Sequence, residues 1–310
     1  MEQQLRILDL LNERNNLIEE INNLYHGTTE IRNKNDKKYL YVHYRENGIG
    51  ITKYIGEYSN DLLMLIQNNN LRVKDLRRKI KEINKNLKKL GYIDDELSEE
   101  VKRNVDLAVK NLSLTIYDQA ILEGVATTIS DTETIIEGGK VSNMTPDDII
   151  KIVNLKHSWE FVLNENVLLT GSNYTILCEI NKIIEEGFYY SAGKIRNVPV
   201  KIGGTSWAPP IPFESDIKND INNILISNKS DIDKAIELLL YVMKAQIFID
   251  GNKRTAVVFA NHYLISKGKG LIVIPSKFVN EFKALLIRYY EGKDILKIKK
   301  FLKDKCYLKI

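Results

Sequence analysis

Apolar residues recur at helical spacing over residues 3–25, at Ile7, Leu10, Leu11, Leu17, Ile18, Ile21 and Leu24. This pattern predicts a helix closing near Gly27. The texture then changes. Tyr39-Leu40-Tyr41-Val42-His43-Tyr44 and the stretch from Ile49 to Ile55 are rich in aromatic and β-branched residues and flank Asn47-Gly48, which predicts a β-hairpin. Helical spacing returns from Ser59 to Leu90. In its second half Leu76, Ile80, Ile83, Leu87 and Leu90 alternate steps of four and three, a period that suits a coiled-coil-like pairing with the first helix folded back antiparallel. Gly91-Tyr92-Ile93-Asp94-Asp95 reads as a boundary, giving a helical arm with its hairpin at 1–95 and a second domain at 96–310. Beyond it the pattern is helix after helix: Val101 to Ala126, a segment opened by Thr145-Pro146-Asp147-Asp148, and Ser172 to Glu186. The Thr-Pro-Asp-Asp start combines a cap, a proline in the first turn and two acids at the positive helix end.

Two further helical segments meet at one short loop. Ile236, Leu239, Leu240, Met243 and Ile247 lead into it, and Val258, Phe259, Tyr263 and Leu264 lead out of it before Gly268. Between them stands Asp250-Gly251-Asn252-Lys253-Arg254. Gly251 permits a sharp turn and close approach of a ligand to the backbone. The unpaired N–H groups of the following helix favour an anion, and Lys253 and Arg254 add two positive charges. Asp250 can hold a magnesium ion, and Asn252 supplies a neutral donor and acceptor. The loop reads as a polyphosphate cradle. The plain alternative is a helix–helix turn with its cations on a solvated face.

Composition narrows the class. The 310 residues are 44% hydrophobic and 28% charged, without an uninterrupted apolar run long enough to span a bilayer. A polar N-terminus without an apolar signal core gives a cytoplasmic expectation. Cys178 and Cys306 are expected to be reduced. Four histidines without ligand spacing argue against a transition metal. The net charge of +4 does not by itself point to nucleic acid. Nine basic residues between Arg72 and Lys89 could form a nucleic-acid or acidic-partner face. They are read instead as a solvated exterior, because Asp75 and Glu82 interrupt them and no aromatic residues interleave. Nucleic acid and membrane are therefore not expected partners. A coiled-coil arm lacking a mate within the chain would pair with a second copy, which makes a homodimer through the arm an expectation.

The stretch 246–254 resembles the motif of the Fic/Doc (Fido) family, His-x-Phe-x-Asp/Glu-Gly-Asn-Gly/Lys-Arg. Phe248, Asp250, Gly251, Asn252, Lys253 and Arg254 fit; Gln246 stands at the His position and Val257 at that of a second Arg. Ala192-Gly193-Lys194-Ile195-Arg196, Val200-Lys201-Ile202-Gly203-Gly204 and Trp207-Ala208-Pro209-Pro210 resemble the family's β-hairpin flap. Glu137-Gly138 resembles the end of the inhibitory segment Ser/Thr-x-x-x-Glu-Gly/Asn, with Glu133 at the Ser/Thr position.

The resemblance implies a mostly α fold, a Fic-type helical bundle with a β-hairpin flap (192–212), an inhibitory-type segment (127–138) and a phosphate loop (246–255). It implies ATP or another nucleotide with Mg2+. AMP would pass to a hydroxyl of a protein docked on the flap at Ile202, Gly203, Gly204 and Thr205. Gln246, Asp250 and Arg254 would then be the catalytic set, with Asp250 on the metal. Phe248, Gly251, Asn252, Lys253 and Arg254 would hold the nucleotide, Phe248 as the buried anchor of the loop. An amide has no usable basicity at neutral pH, so Gln246 cannot take the hydroxyl proton. His262, roughly 12 Å down the following helix, is not expected to replace it. Three readings stay open: an atypical nucleotidyl or phosphoryl transferase, an inactive nucleotide-binding interaction protein, or an AMP-removing hydrolase with Glu137 as base.

Overall fold

The first predicted helix forms as α1 (Glu2–Asn23) in the computed structural model, which describes residues 2–34, 37–46, 49–92 and 97–310. Three strands follow, β1 (Thr28–Lys34), β2 (Lys37–Glu46) and β3 (Ile49–Glu57), paired antiparallel in the order β1-β2-β3. The sequence pattern predicts only the β2–β3 hairpin, whose Asn47-Gly48 turn lies outside the described residues. β1 escapes it because Ile31 is the strand's only large apolar residue and is itself 46% exposed. An edge strand held through backbone pairing needs no alternation. Leu40 and Val42 turn inward from β2 onto Ile66 of α2 (Asn60–Lys89), which Ser59 caps by accepting the Leu62 N–H at 3.1 Å.

Helices α1 and α2 run antiparallel, since rising numbers on one meet falling numbers on the other. Leu11 packs on Ile83 and Leu87, Arg14 donates to Asn84 at 3.0 Å, and Arg72 donates to Glu20 at 2.7 Å. Burial of each such aliphatic side chain contributes about 1.5–3 kcal/mol. α1 is thus the mate of α2 within the chain. This first unit is Met1–Asp94 and the second Asp95–Ile310; Ile93-Asp94-Asp95 lies outside the described residues.

The second unit is helical. It contains α3 (Glu99–Lys110), α4 (Leu112–Leu122), α5 (Ile129–Ile136), α6 (Pro146–Leu163), α7 (Glu165–Leu169), α8 (Tyr174–Ile184), α9 (Glu214–Ile226), α10 (Asp231–Ala245), α11 (Asn252–Ser266), α12 (Val279–Tyr290) and α13 (Ile295–Lys305). Two short strands, β4 (Leu271–Ile272) and β5 (Tyr307–Leu308), pair antiparallel. The predicted helix from Val101 to Ala126 is two helices, broken at Asn111, whose backbone (φ −103°, ψ 7°) leaves the helical region. Thr145 caps α6 with proline in the first turn. Helix α11 is buried on every side, from Thr255 to Ile265, which makes it the centre of the bundle. α6, α8 and α10 pack around it. Val257 is fully enclosed there. Cys178 and Cys306 are free thiols. No helix among the described residues is long and apolar enough to cross a membrane.

Candidate functional site

The chain leaves α10 through Gln246, which closes the helix in the left-handed region (φ 46°, ψ 59°), a conformation that costs a non-glycine residue about 1–2 kcal/mol. Ile247 and Phe248 then dive into the core, and Gly251 (φ 73°) starts α11. A Cβ at Gly251 would lie 2.3 Å from Glu185 Oε1, so a side chain there would strain the left-handed backbone and push the Glu185 carboxylate aside. Asn252 fastens the turn from inside. Its Oδ1 accepts the Phe248 N–H at 3.0 Å, and its Nδ2 donates to Phe248 O at 2.8 Å and to Gln246 Oε1 at 3.3 Å. From α8, Asn181 donates to Asp250 O at 3.0 Å and accepts the Gly193 N–H at 2.9 Å.

The loop forms one wall of a cleft of about 380 Å³. Gln246, Asp250, Asn252 and Lys253 line it from the loop, Glu123 from the end of α4, and Lys201, Ile202 and Gly203 from the flap segment. Lys283, Leu286, Ile287 and Tyr290 of α12 close the far side. The predicted residues Gln246, Asp250, Asn252, Lys253, Ile202 and Gly203 are thus brought together. Gly204 packs on Ile287, and Thr205 donates to Glu291 at 3.4 Å. The flap segment, expected as a β-hairpin, is irregular and carries no strand between residues 192 and 212. Its shape is held instead by Arg196. This buried guanidinium donates to Gln246 O at 2.5 Å, Val198 O at 2.8 Å and Pro210 O at 2.6 Å.

Three predicted residues stand elsewhere. Glu137 and Gly138 are exposed at the C-terminal end of α5 and do not line the cleft. Arg254 is 3% exposed and points away from the cleft into an ion pair with Glu185 Oε1 at 2.7 Å. Its Nε and Nη1 have no hydrogen-bond partner. The carboxylate beside the cations is Glu123, 3.4 Å from Lys253 Nζ and 4.0 Å from Arg254 Nε. Sequence reading missed Glu123 and Glu185. Glu123-Gly124 repeats the Glu-Gly pair found at 137–138, a signal that could have marked it; Glu185 carries none.

Charges crowd this corner. Burial pushes Glu185 up to about 7, with Asp250 and Glu123 adding to the rise and Arg254 opposing it. Tyr290 is raised by burial and then by Glu123. Gln246 has both ends of its amide engaged, its Nε2 donating to Met243 O at 2.7 Å. His262 is fully buried; its Nε2 donates to Val167 O at 3.1 Å and its Nδ1 accepts from Ser172 Oγ at 2.7 Å. Burial lowers His262 to about 4, so it is a core residue. No cluster of three metal-ligating side chains occurs among the described residues. Asp250 and Glu123 are the two carboxylates lining the cleft, and Asp250 Oδ1 already accepts the Gly251 N–H at 2.7 Å. That fits magnesium shared with substrate phosphates, which needs one or two protein carboxylates, and not an all-protein cage.

Residues 172–264 match the sequence model of the Fic/DOC family. No curated protein matches the chain. Among solved structures, a Fic-domain-containing signaling protein from Bacteroides thetaiotaomicron superposes with a TM-score of 0.52 at 20% identity, covering 62% of this chain and 76% of that one. Fic-1 from C. elegans gives 0.54 at 17% identity, covering 79% and 73%. A Fic family protein from Desulfovibrio desulfuricans gives 0.51 at 14% identity, covering 66% and 69%. At such identities the likeness establishes the fold. Taken with the sequence match from the start of α8 through most of α11, it gives the second unit a Fic-type fold in which residues 172–264 match the Fic/DOC family.

Proposed function

We propose that this protein binds the polyphosphate end of a nucleotide in the cleft beside Asp250–Lys253, and that it transfers AMP to a protein hydroxyl slowly or not at all. The observation that carries this reading is the state of Gln246. It lines the cleft at the motif His position, and both ends of its amide are already hydrogen-bonded. AMP transfer requires the attacking hydroxyl to bond to the α-phosphorus, pyrophosphate to leave and the hydroxyl proton to pass to a base. An amide takes no proton, and such a base typically supplies ~10² to 10⁴-fold in rate.

Lys253 would meet the phosphates first, with Lys201 and Lys283 on the opposite walls. Arg254 would join only on release from Glu185. Asp250 would hold magnesium together with the phosphates, where the ion would neutralise charge on the leaving pyrophosphate. One specific observation favours a second reading, removal of AMP by hydrolysis. Glu123 lines the cleft, and its Oε1 is buried without a hydrogen-bond partner, which leaves an acceptor for the proton of a water. In this second reading Glu123 replaces the exposed Glu137.

Calorimetry with ATP and magnesium, on wild type and Lys253→Ala, tests binding. α-labelled and γ-labelled ATP, on wild type and Gln246→His, tests transfer. The proposal expects binding that weakens in K253A, and α-label transfer that appears or rises sharply in Q246H. A wild-type cleft that stays empty at millimolar ATP and magnesium refutes it.

A further inference from the structure

We infer that the first unit carries a second, independent interaction surface, a row of cations on α2 that binds the phosphate backbone of a nucleic-acid duplex without regard to sequence. Helix α2 holds nine Lys and Arg residues against three acids, Asp61, Asp75 and Glu82, while the whole chain has a net charge of only +4. The rest of the chain is therefore net acidic, and the positive charge is concentrated on this helix. Lys74, Arg77, Lys81, Lys85 and Lys88 follow steps of three and four, which places them on one helical face. All five are exposed. The row is about 21 Å long at 1.5 Å per residue. It runs on the solvent side, flanking the stripe of buried positions Val73, Leu76, Ile83 and Leu87.

Ion pairing leaves the row intact. Asp75, which interrupts the run in sequence, pairs with Arg78 at 2.6 Å and Lys79 at 3.7 Å, both outside the row. Among the described residues no carboxylate meets any of the five. A groove of about 650 Å³ opens at the first turn of the row, with Lys74 and Arg77 on its wall beside His26, Thr28, Thr29 and His43. It offers the hydroxyls of Thr28 and Thr29 next to the Lys74 ammonium and the Arg77 guanidinium.

The composition of the row selects the occupant. Between Lys74 and Lys88 no large apolar side chain is exposed, so it lacks the anchors that carry protein–protein binding. Along the row the apolar positions Val73, Leu76, Ile83 and Leu87 are buried, and the exposed Met64, Leu65 and Leu71 precede it, so the row has no free apolar face of its own to enter a bilayer surface as an amphipathic helix does. No aromatic side chain interleaves the cations, which removes the stacking that single strands need. What remains is a regular line of charge matched to a polymer carrying one negative charge per about 1.7 Å of duplex axis.

The test is fluorescence anisotropy of the full chain with a labelled duplex of arbitrary sequence, titrated with salt. Five phosphate contacts predict a log–log salt slope of about −4.5, or roughly a 500-fold loss of affinity between 50 and 200 mM salt. Lys81→Glu with Lys85→Glu should weaken binding and flatten the slope by about 2. Lys110→Glu with Lys300→Glu makes the same charge change on exposed positions of the second unit and should leave both unchanged. Matching melting temperatures for the two double variants would confirm that both are folded. The inference is overturned by no duplex binding at 50 mM salt, by equal weakening in both double variants, or by an acidic peptide or anionic vesicle that binds more tightly than the duplex.

Discussion

Replacing Arg196 with lysine tests what shapes the cleft. Arg196 is 1% exposed and serves carbonyls from three segments with one planar group: Gln246 O at 2.5 Å, Val198 O at 2.8 Å and Pro210 O at 2.6 Å, with Pro209 O at 3.4 Å. Its backbone N–H adds a bond to Ile247 O at 3.0 Å. None of these acceptors is a carboxylate, so carbonyl dipoles alone compensate the charge, and burial lowers the Arg196 pKa. A lysine ammonium donates from a single point and cannot reach acceptors spread around a fork. Hydrogen bonds to a charged group contribute about 1.5–3 kcal/mol each. Losing two of them predicts a destabilisation of about 3–6 kcal/mol, which lowers the melting temperature of a unit this size by on the order of 10 °C. Thermal melts followed by circular dichroism give the first readout. Trypsin cleavage after Lys201 under native conditions gives the second, because a flap freed from Pro210 and Gln246 should be cut faster. If R196K melts within about 2 °C of wild type and its flap is cut no faster, the guanidinium fork is not what holds the flap to the phosphate loop.

Two further outcomes follow from the same corner. Burial pushes Glu185 up from the ordinary 4.5 to about 7 in the folded protein, so the native state binds the extra proton. Its contribution to stability is present below about pH 4.5 and is lost as pH rises through 7, a change of roughly 3 kcal/mol. Urea titrations of wild type and Glu185→Gln at several pH values should show that slope in wild type and a flatter one in the variant; identical slopes would contradict the assignment. Asn252→Ala leaves the buried Phe248 N–H and C=O without their partners, predicting a loss of about 2–4 kcal/mol in urea unfolding. An N252A protein as stable as wild type would mean that the turn is held by other contacts.

Much of this architecture was legible in the sequence. The α10–loop–α11 unit could be read because apolar spacing flanks a short run whose functions are local: Gly251 turns, Asn252 ties the turn to Phe248, and the helix start follows at once. The antiparallel α1–α2 pair was likewise visible in the steps from Leu76 to Leu87. Periodicity reports which face of one element is apolar, and for these elements that sufficed. β1 was invisible because an exposed edge strand pairs through its backbone and leaves no side-chain pattern. Other features belong to tertiary packing alone. Glu185, 69 residues before Arg254, turns that cation inward, whereas sequence reading placed it in the cradle. Glu123, 130 residues before Lys253, reaches the cleft, while the same Glu-Gly pair at 137–138 ends an exposed helix. Lys283 and Tyr290 complete the far wall from a helix whose spacing cannot say what it faces. Chain order determined the loop at 246–254 because its atoms are neighbours along the backbone. Packing decided which charges gather beside it, since that depends on which distant helix ends meet there.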